Sequence, residues 1–287
     1  MNQQDRRTYS QLHISQMNRF ERKYLRRMYD ALHAQITDAV SLLRERGIEG
    51  ARRQIERVML NDQIPELIRE LYTDAGLFFA RKTYREIQRS IREQTKAIGF
   101  NEEWTAEIIN FFRLYLLDRA SISITETTKQ QIFDVLDQGV REGWTIEAIV
   151  AQLQNKELIA WRARLITRTE LAKAAFAGRK SAKDKSEYET QKEWISANDH
   201  RTRDSHLLVD GEVIDEEARF QVRRKKGGVD MMEGPGDPEG SAENIINCRC
   251  SIATVAKRDT RGRLIPKTNI VVIHPGAFNS NRQTITI

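Results

Sequence analysis

The 287-residue chain lacks what a disulfide-stapled or membrane-inserted protein needs. It has only two cysteines, Cys248 and Cys250, separated by one residue. That spacing strains a mutual disulfide, and a cytosolic chain keeps both thiols reduced. No run of about 18 apolar residues occurs, so no membrane-spanning helix and no membrane partner are expected. The opening Met1-Asn2-Gln3-Gln4-Asp5 is polar and lacks the apolar core of a secretory signal, so synthesis in the cytoplasm is the expectation. The first 155 residues contain no Gly-rich phosphate loop, no histidine pair and no Ser/His/Asp arrangement, which leaves catalysis there without a candidate. No cofactor is expected.

What is present is charge. Apolar residues make up 39% and charged residues 31%, with a net charge of +6, which suits a soluble chain with polar, elongated parts. The basic excess permits contact with nucleic acid without requiring it.

The first half reads as helices. Met17, Phe20, Tyr24, Met28, Leu32, Ile36, Val40 and Leu43 recur in steps of three and four, predicting a helix over 16–46 with Ser15 as its cap and Gly47 at its end. Arg19, Arg22, Lys23, Arg26 and Arg27 occupy the opposite face, interleaved with Glu21 and Asp30 as on an ordinary solvated surface. Further helices are predicted over 51–60, from Asn61-Asp62 through Ile91 towards Lys96, over 102–119 behind Asn101, and over 125–141. Another spans 146–153 behind Thr145, and a last one 161–180.

After Lys185 the helical period fades. Short pieces are predicted as strands at 193–197, 207–209 and 212–214, with Asp210-Gly211 as a hairpin turn. Arg223, Arg224, Lys225 and Lys226, with Gly227-Gly228 after them, form an exposed basic loop and the candidate nucleic-acid contact. Pro235-Gly236-Asp237-Pro238 is a rigid turn. The expected fold class is α+β: a long, mostly helical region (1–155), a small α+β domain with a short antiparallel sheet (156–256), and an extended tail (257–287).

His200, His206, Cys248 and Cys250 offer the ligand types of a zinc site, but Cys-x-Cys is tighter than the usual pair and His-x₅-His lies at the edge of the usual range. The other reading makes the cysteines small buried groups beside a histidine-bearing turn, and it is preferred. A metal-dependent nuclease would need carboxylates at cage spacing, and none stands out.

Several pieces in fixed order are similar to one family: Arg162-Ala163-Arg164 through Arg168-Thr169-Glu170, Trp194-Ile195-Ser196-Ala197, Arg201-Thr202-Arg203, His206, Asp210-Gly211, Phe220, Pro235-Gly236-Asp237-Pro238, and Asn244 to Asn247-Cys248-Arg249-Cys250. Across 153–255 the chain resembles the Mu F-like, head morphogenesis family of minor head proteins from tailed bacteriophages. The resemblance implies a structural component of the virion interior, made in the host cytoplasm. It would lie near the portal protein and capsid interior, serve head assembly and genome packaging or delivery, and in some members associate with double-stranded DNA.

The family's domain is also similar to the ADP-ribosyltransferase fold. Glu187-Tyr188-Glu189 matches a Glu-x-Glu string, but no Ser-Thr-Ser-like strand precedes it, and no enzyme is expected. The stretch after Cys250 is too short for the fused toxin some members carry. In a structural domain, Arg164 or Arg168 would pair with Glu170, Arg203 with Asp210, and Asp237 would cap backbone N–H groups.

Overall fold

The computed structural model describes residues 1–58, 63–91, 105–106, 109–110 and 118–267. Two long helices come first, α1 (Gln3–Val58) and α2 (Gln63–Ile91). The face marked by apolar spacing is the face that is buried: Tyr24, Met28, Leu32, Val40 and Leu43. Gly47 breaks α1 with φ 66° and ψ −178°, a backbone open to glycine, and beyond the kink Ala51 and Ile55 return to the core.

The start of α1 lies earlier than the sequence suggests. Ser15 sits inside the helix, because the first turns lie across the C-terminal part of the chain. There Ser10 Oγ donates to the Ala197 carbonyl at 3.3 Å, and Ile14 packs against the cluster around Trp194. Tertiary packing, not a local cap, holds these turns helical.

Helix α3 (Asp118–Glu142) ends at Gly143, whose φ is 69°. Thr145 Oγ1 accepts from the Ala148 N–H and caps α4 (Ile146–Leu153) as expected. Asn155 caps α5 (Lys156–Asp184) by accepting from the Glu157 and Leu158 N–H groups, so this helix begins before Trp161. The predicted helix over 102–119 lies almost wholly outside the described residues.

α5 is the axis of the molecule. Ile159, Ala163, Leu171, Ala174, Ala177 and Ala182 are buried in one continuous core with α1 and α2. Its small residues let backbones approach closely. A Cβ at Gly178 would stand 2.2 Å from the Gly76 carbonyl oxygen and 3.0 Å from the Ala80 nitrogen of α2.

The rest of the described chain is β1 (Thr190–Ile195), α6 (Asp204–Leu207), β2 (Val213–Asp215), β3 (Phe220–Arg223), β4 (Val229–Met232), α7 (Ala242–Ile245) and β5 (Ser251–Ala256). A three-stranded sheet runs in the order β2-β1-β5, antiparallel throughout, with Lys192 opposite Ile214 and Trp194 opposite Ile252. β3 and β4 form a separate hairpin. The fold is α+β, as expected.

One local expectation fails. Residues 207–209 are not a strand: Leu207 ends α6, and Asp210-Gly211 turns the chain into β2, which pairs with β1 instead. The short apolar pieces matched a hairpin pattern, but Leu207 closes helix α6, Leu208 and Val209 lie in the turn after it, and β2 finds the longer, buried neighbour. The basic stretch from Arg223 is the end of β3 and its turn into β4, and all four of its cationic residues are exposed. Of the tail, residues 257–267 fold back: Arg258 Nη2 donates to the Ser90 carbonyl at 2.9 Å, and Leu264 joins Ile87 and Ile91 in a small cluster. The strand expected at 270–273 lies outside the described residues.

Gly178→Ala should destabilise the chain by about 2 kcal/mol, because the methyl meets backbone that cannot swing aside. Urea unfolding reads this as a lower midpoint at constant slope. An unchanged midpoint would mean that α2 and α5 do not cross this closely.

Candidate functional site

The residues singled out in the sequence fall into two groups around the small core of Trp194, Phe220, Val222 and Met232. The first is chemical. His206 on α6 and Cys248 and Cys250, from the loop between α7 and β5, are all buried, and one ligand atom of each lies within 4.8 Å of the others. His206 Nδ1 stands 3.4 Å from Cys250 Sγ and 3.6 Å from Cys248 Sγ. The ring of His206 meets Trp194 edge-on at 5.3 Å. A hydrogen bond from Cys250 and the nearby His206 draw the Cys248 thiol down, while the same bond and burial push Cys250 up. His200, the fourth member of the set, is exposed in the preceding turn and does not join them.

The second group is bracing. Asp237 Oδ2 accepts from the Glu233 N–H at 2.7 Å and Oδ1 from the Glu239 N–H at 3.0 Å, the backbone-capping role expected of it. Pro235 and Gly236 press this loop onto α5. Gly236 has φ 81°, and a Cβ there would stand 2.4 Å from the Ala172 carbonyl oxygen. Asn247 also takes a positive φ, 57°, and its N–H donates to Thr169 Oγ1 on α5.

The expected charge pairs are rearranged. Arg168 binds Glu21 of α1 at 2.7 Å, and the more exposed Arg164 approaches the same carboxylate at 3.9 Å. Glu170 instead accepts from Tyr72 of α2 at 2.7 Å and from Lys173 at 2.8 Å. Arg203 donates to the Ile246 carbonyl at 2.6 Å, while Asp210 accepts from the Ser196 N–H at 2.7 Å. The residue types signalled ties, but tertiary packing selected the partners, for Arg164, Arg168 and Glu170 through the seating of α5 between α1 and α2.

Three further features had no role assigned to them from the sequence pattern. Arg179 and Glu216 form a buried pair at 2.7 Å. Asp230 gathers Ser241, Asn244 and Arg224; these bonds outweigh burial, which acts to raise its pKa, and hold its carboxyl down at about 2. Its signal was a carboxylate on the inward register of a short strand. Lys192 is fully buried in β1, and its Nζ has no hydrogen-bond partner among the described residues. Burial and the neighbouring Arg179 lower it to about 8.

Two surfaces carry cations. The loop around Lys225 borders a cleft shared with Asp204 and Glu243, so its charge is partly offset: Glu243 accepts from the Lys225 N–H, and Arg224 is held by Asp230. Arg19, Lys23, Arg81, Lys82, Arg85 and Arg89 line a groove between α1 and α2 against only Asp74 and Glu86. Arg81, Arg85 and Arg89 repeat every four residues and span about 12 Å of one helix face.

The polar side chains of this domain tie its elements to one another and to the long helical layer. Residues 130–253 match the family described as Phage Mu protein F like protein. The chain is 25% identical over 191 residues to the protein named Minor head protein GP7 of Bacillus phage SPP1, covering 66% of this chain and 55% of that one. It is also 23% identical over 163 residues to the Uncharacterized protein YqbB of Bacillus subtilis (strain 168), covering 56% and 48%. The chain spans about half the length of these curated relatives. No solved structure matches it. Among the described residues no helix is long and apolar enough to cross a membrane.

The helical layer and the sheet meet at a small cavity of about 30 Å³, lined by Tyr9, His13, Phe79, Arg179 and Ile252 among others. Tyr9 Oη lies 2.9 Å from Glu86 Oε2 and 3.0 Å from the Ile252 carbonyl oxygen, and it accepts from Lys82 Nζ at 2.6 Å. His13 packs on Phe79 at 5.2 Å between ring centres. Burial, aided by the Lys82 ammonium, lowers its pKa to about 3.

Because the folded pKa of His13 lies below the unfolded value of about 6.5, its contribution to stability is complete above that pH and is lost as pH falls. Each unit costs about 1.4 kcal/mol, so stability should drop by about 2–3 kcal/mol between pH 6.5 and 4.5. The depressed carboxyl of Asp230 acts only below about 4. Thermal melts across that window should slope for the wild type and flatten for His13→Leu. A flat wild-type profile would show that His13 is reached by solvent in the native state.

Proposed function

We propose that this chain is a structural minor head protein of a tailed phage or prophage. It would act inside the head beside the portal protein, against the capsid interior, in head assembly and genome packaging or delivery. The observation that carries this reading is the family match over 130–253, in which the matched polar residues close on one another or on α1 and α2. The name of the phage SPP1 relative supports the same role. Glu189, the residue an ADP-ribosyl transfer reading would need, is engaged beside the sheet: its N–H donates to the Ile265 carbonyl at 2.8 Å, and its carboxylate lies 3.5 Å from Lys257.

Double-stranded DNA is a further partner in this reading. The groove between α1 and α2 suits it better than the loop at 223–226, since its cations outnumber its carboxylates and Arg81, Arg85 and Arg89 share one exposed face. Phosphate contacts of this kind need no base recognition.

In the phage or prophage that carries the gene, the chain should be found by mass spectrometry in purified virions. Its deletion should yield heads that package or deliver DNA poorly. Absence from virions would sink the structural reading. For DNA, affinity for a random duplex should fall steeply with salt. Replacing Arg81, Arg85 and Arg89 by Gln should lessen the logarithmic salt slope by about 2–3. A slope unaffected by these changes would assign the groove to a protein partner.

A further inference from the structure

We infer that His206, Cys248 and Cys250 form a binding site for one soft divalent transition metal ion, zinc by preference, which staples α6 to the loop entering β5. The argument begins with distances. In a tetrahedral zinc site, Zn–S bonds of about 2.3 Å and Zn–N bonds of about 2.0–2.1 Å place a nitrogen and a sulfur ligand about 3.5 Å apart. His206 Nδ1 lies 3.4 Å and 3.6 Å from the two sulfurs, so both edges of such a tetrahedron are already in place. One imidazole nitrogen carries at most one proton and cannot hydrogen-bond two sulfurs equally well, so a hydrogen-bond account explains one of these approaches and leaves the other.

Positively polarised groups surround the two sulfurs. The Cys250 N–H is directed to the Cys248 sulfur and the Ala197 N–H to the Cys250 sulfur, while the Arg203 guanidinium adds positive charge nearby. Asn247, next to Cys248, takes a positive φ of 57°. Two thiolates and an imidazole are the soft and borderline donors that select zinc over calcium or magnesium. They fill three of its four positions, and the fourth is left to a small ligand such as water. His200 cannot serve, because it is exposed in the turn before α6, away from the buried cluster.

Such an ion has a structural task here. His206 sits in the connection between β1 and β2, and both cysteines sit in the connection between α7 and β5, so the ion would cross-link two loops far apart along the chain. It would act as a disulfide does in an oxidising compartment, but where thiols stay reduced. The site stands whether or not the chain is a head protein, since its test requires only purified protein.

The test is metal analysis of the full chain, purified under a phosphine reductant and dialysed. About one zinc per chain is expected, with both thiols slow to react with a disulfide reagent until a chelator is added. Cobalt(II) in place of zinc should give a sulfur-to-metal charge-transfer band. Cys248→Ser and Cys250→Ser should weaken that band, and His206→Gln should lower affinity at least about tenfold. The wild-type measurements decide the matter even if a variant fails to fold. No charge-transfer band on cobalt titration, with two freely reacting thiols, would overturn the assignment. So would a Cys248–Cys250 disulfide that persists in the reductant.

Discussion

The close crossing of α2 and α5 is the constraint on which the rest of the structure depends. The backbones touch at Gly76 and Gly178, with no room for one added carbon. Close packing of this kind is unforgiving, because displaced backbone has nowhere to relax. With α5 seated against α2, Glu170 reaches Tyr72, Arg168 reaches Glu21, and the Pro235–Asp237 loop comes to rest on the Ala172 carbonyl. The sheet domain is therefore placed by a helix that belongs equally to the helical core.

The polar side chains of the matched region follow from this placement. A buried charge is tolerable only when paired and hydrogen-bonded. Arg179 with Glu216, and Asp230 with Ser241, Asn244 and Arg224, meet that condition inside the sheet domain. Side chains committed in this way specify how elements sit on one another. Arg81, Arg85 and Arg89 on α2 and the cations at the β3–β4 turn face outward instead.

Much of the helical layer was legible because its period is long and regular. Tyr24 through Leu43 marked the buried face, Gly47 the break, and Thr145 the cap of α4. The sheet domain was less legible, because its strands are too short for alternation to separate them from a helical turn. Leu207–Val209 read as a strand for that reason. Charge pairing was legible only as residue type: Arg164, Arg168 and Glu170 lie on one helix, yet each finds its partner according to which neighbouring helix lies beside it.

His206, Cys248 and Cys250 show the same division most clearly. Their types announced sulfur and imidazole chemistry, and their order with Trp194, Asp210 and Asn247 carried the resemblance to the Mu F-like family. Their spacing argued against a common site, since Cys-x-Cys is narrow and His-x₅-His lies at the edge of the usual range. The sequence determined most of the helices and which side-chain types are present, because periodicity, caps and side-chain identity are local properties. Tertiary structure alone decided that His206 meets both cysteines and that His200 does not, because distances between atoms on separate loops are set only once the elements beneath them have packed.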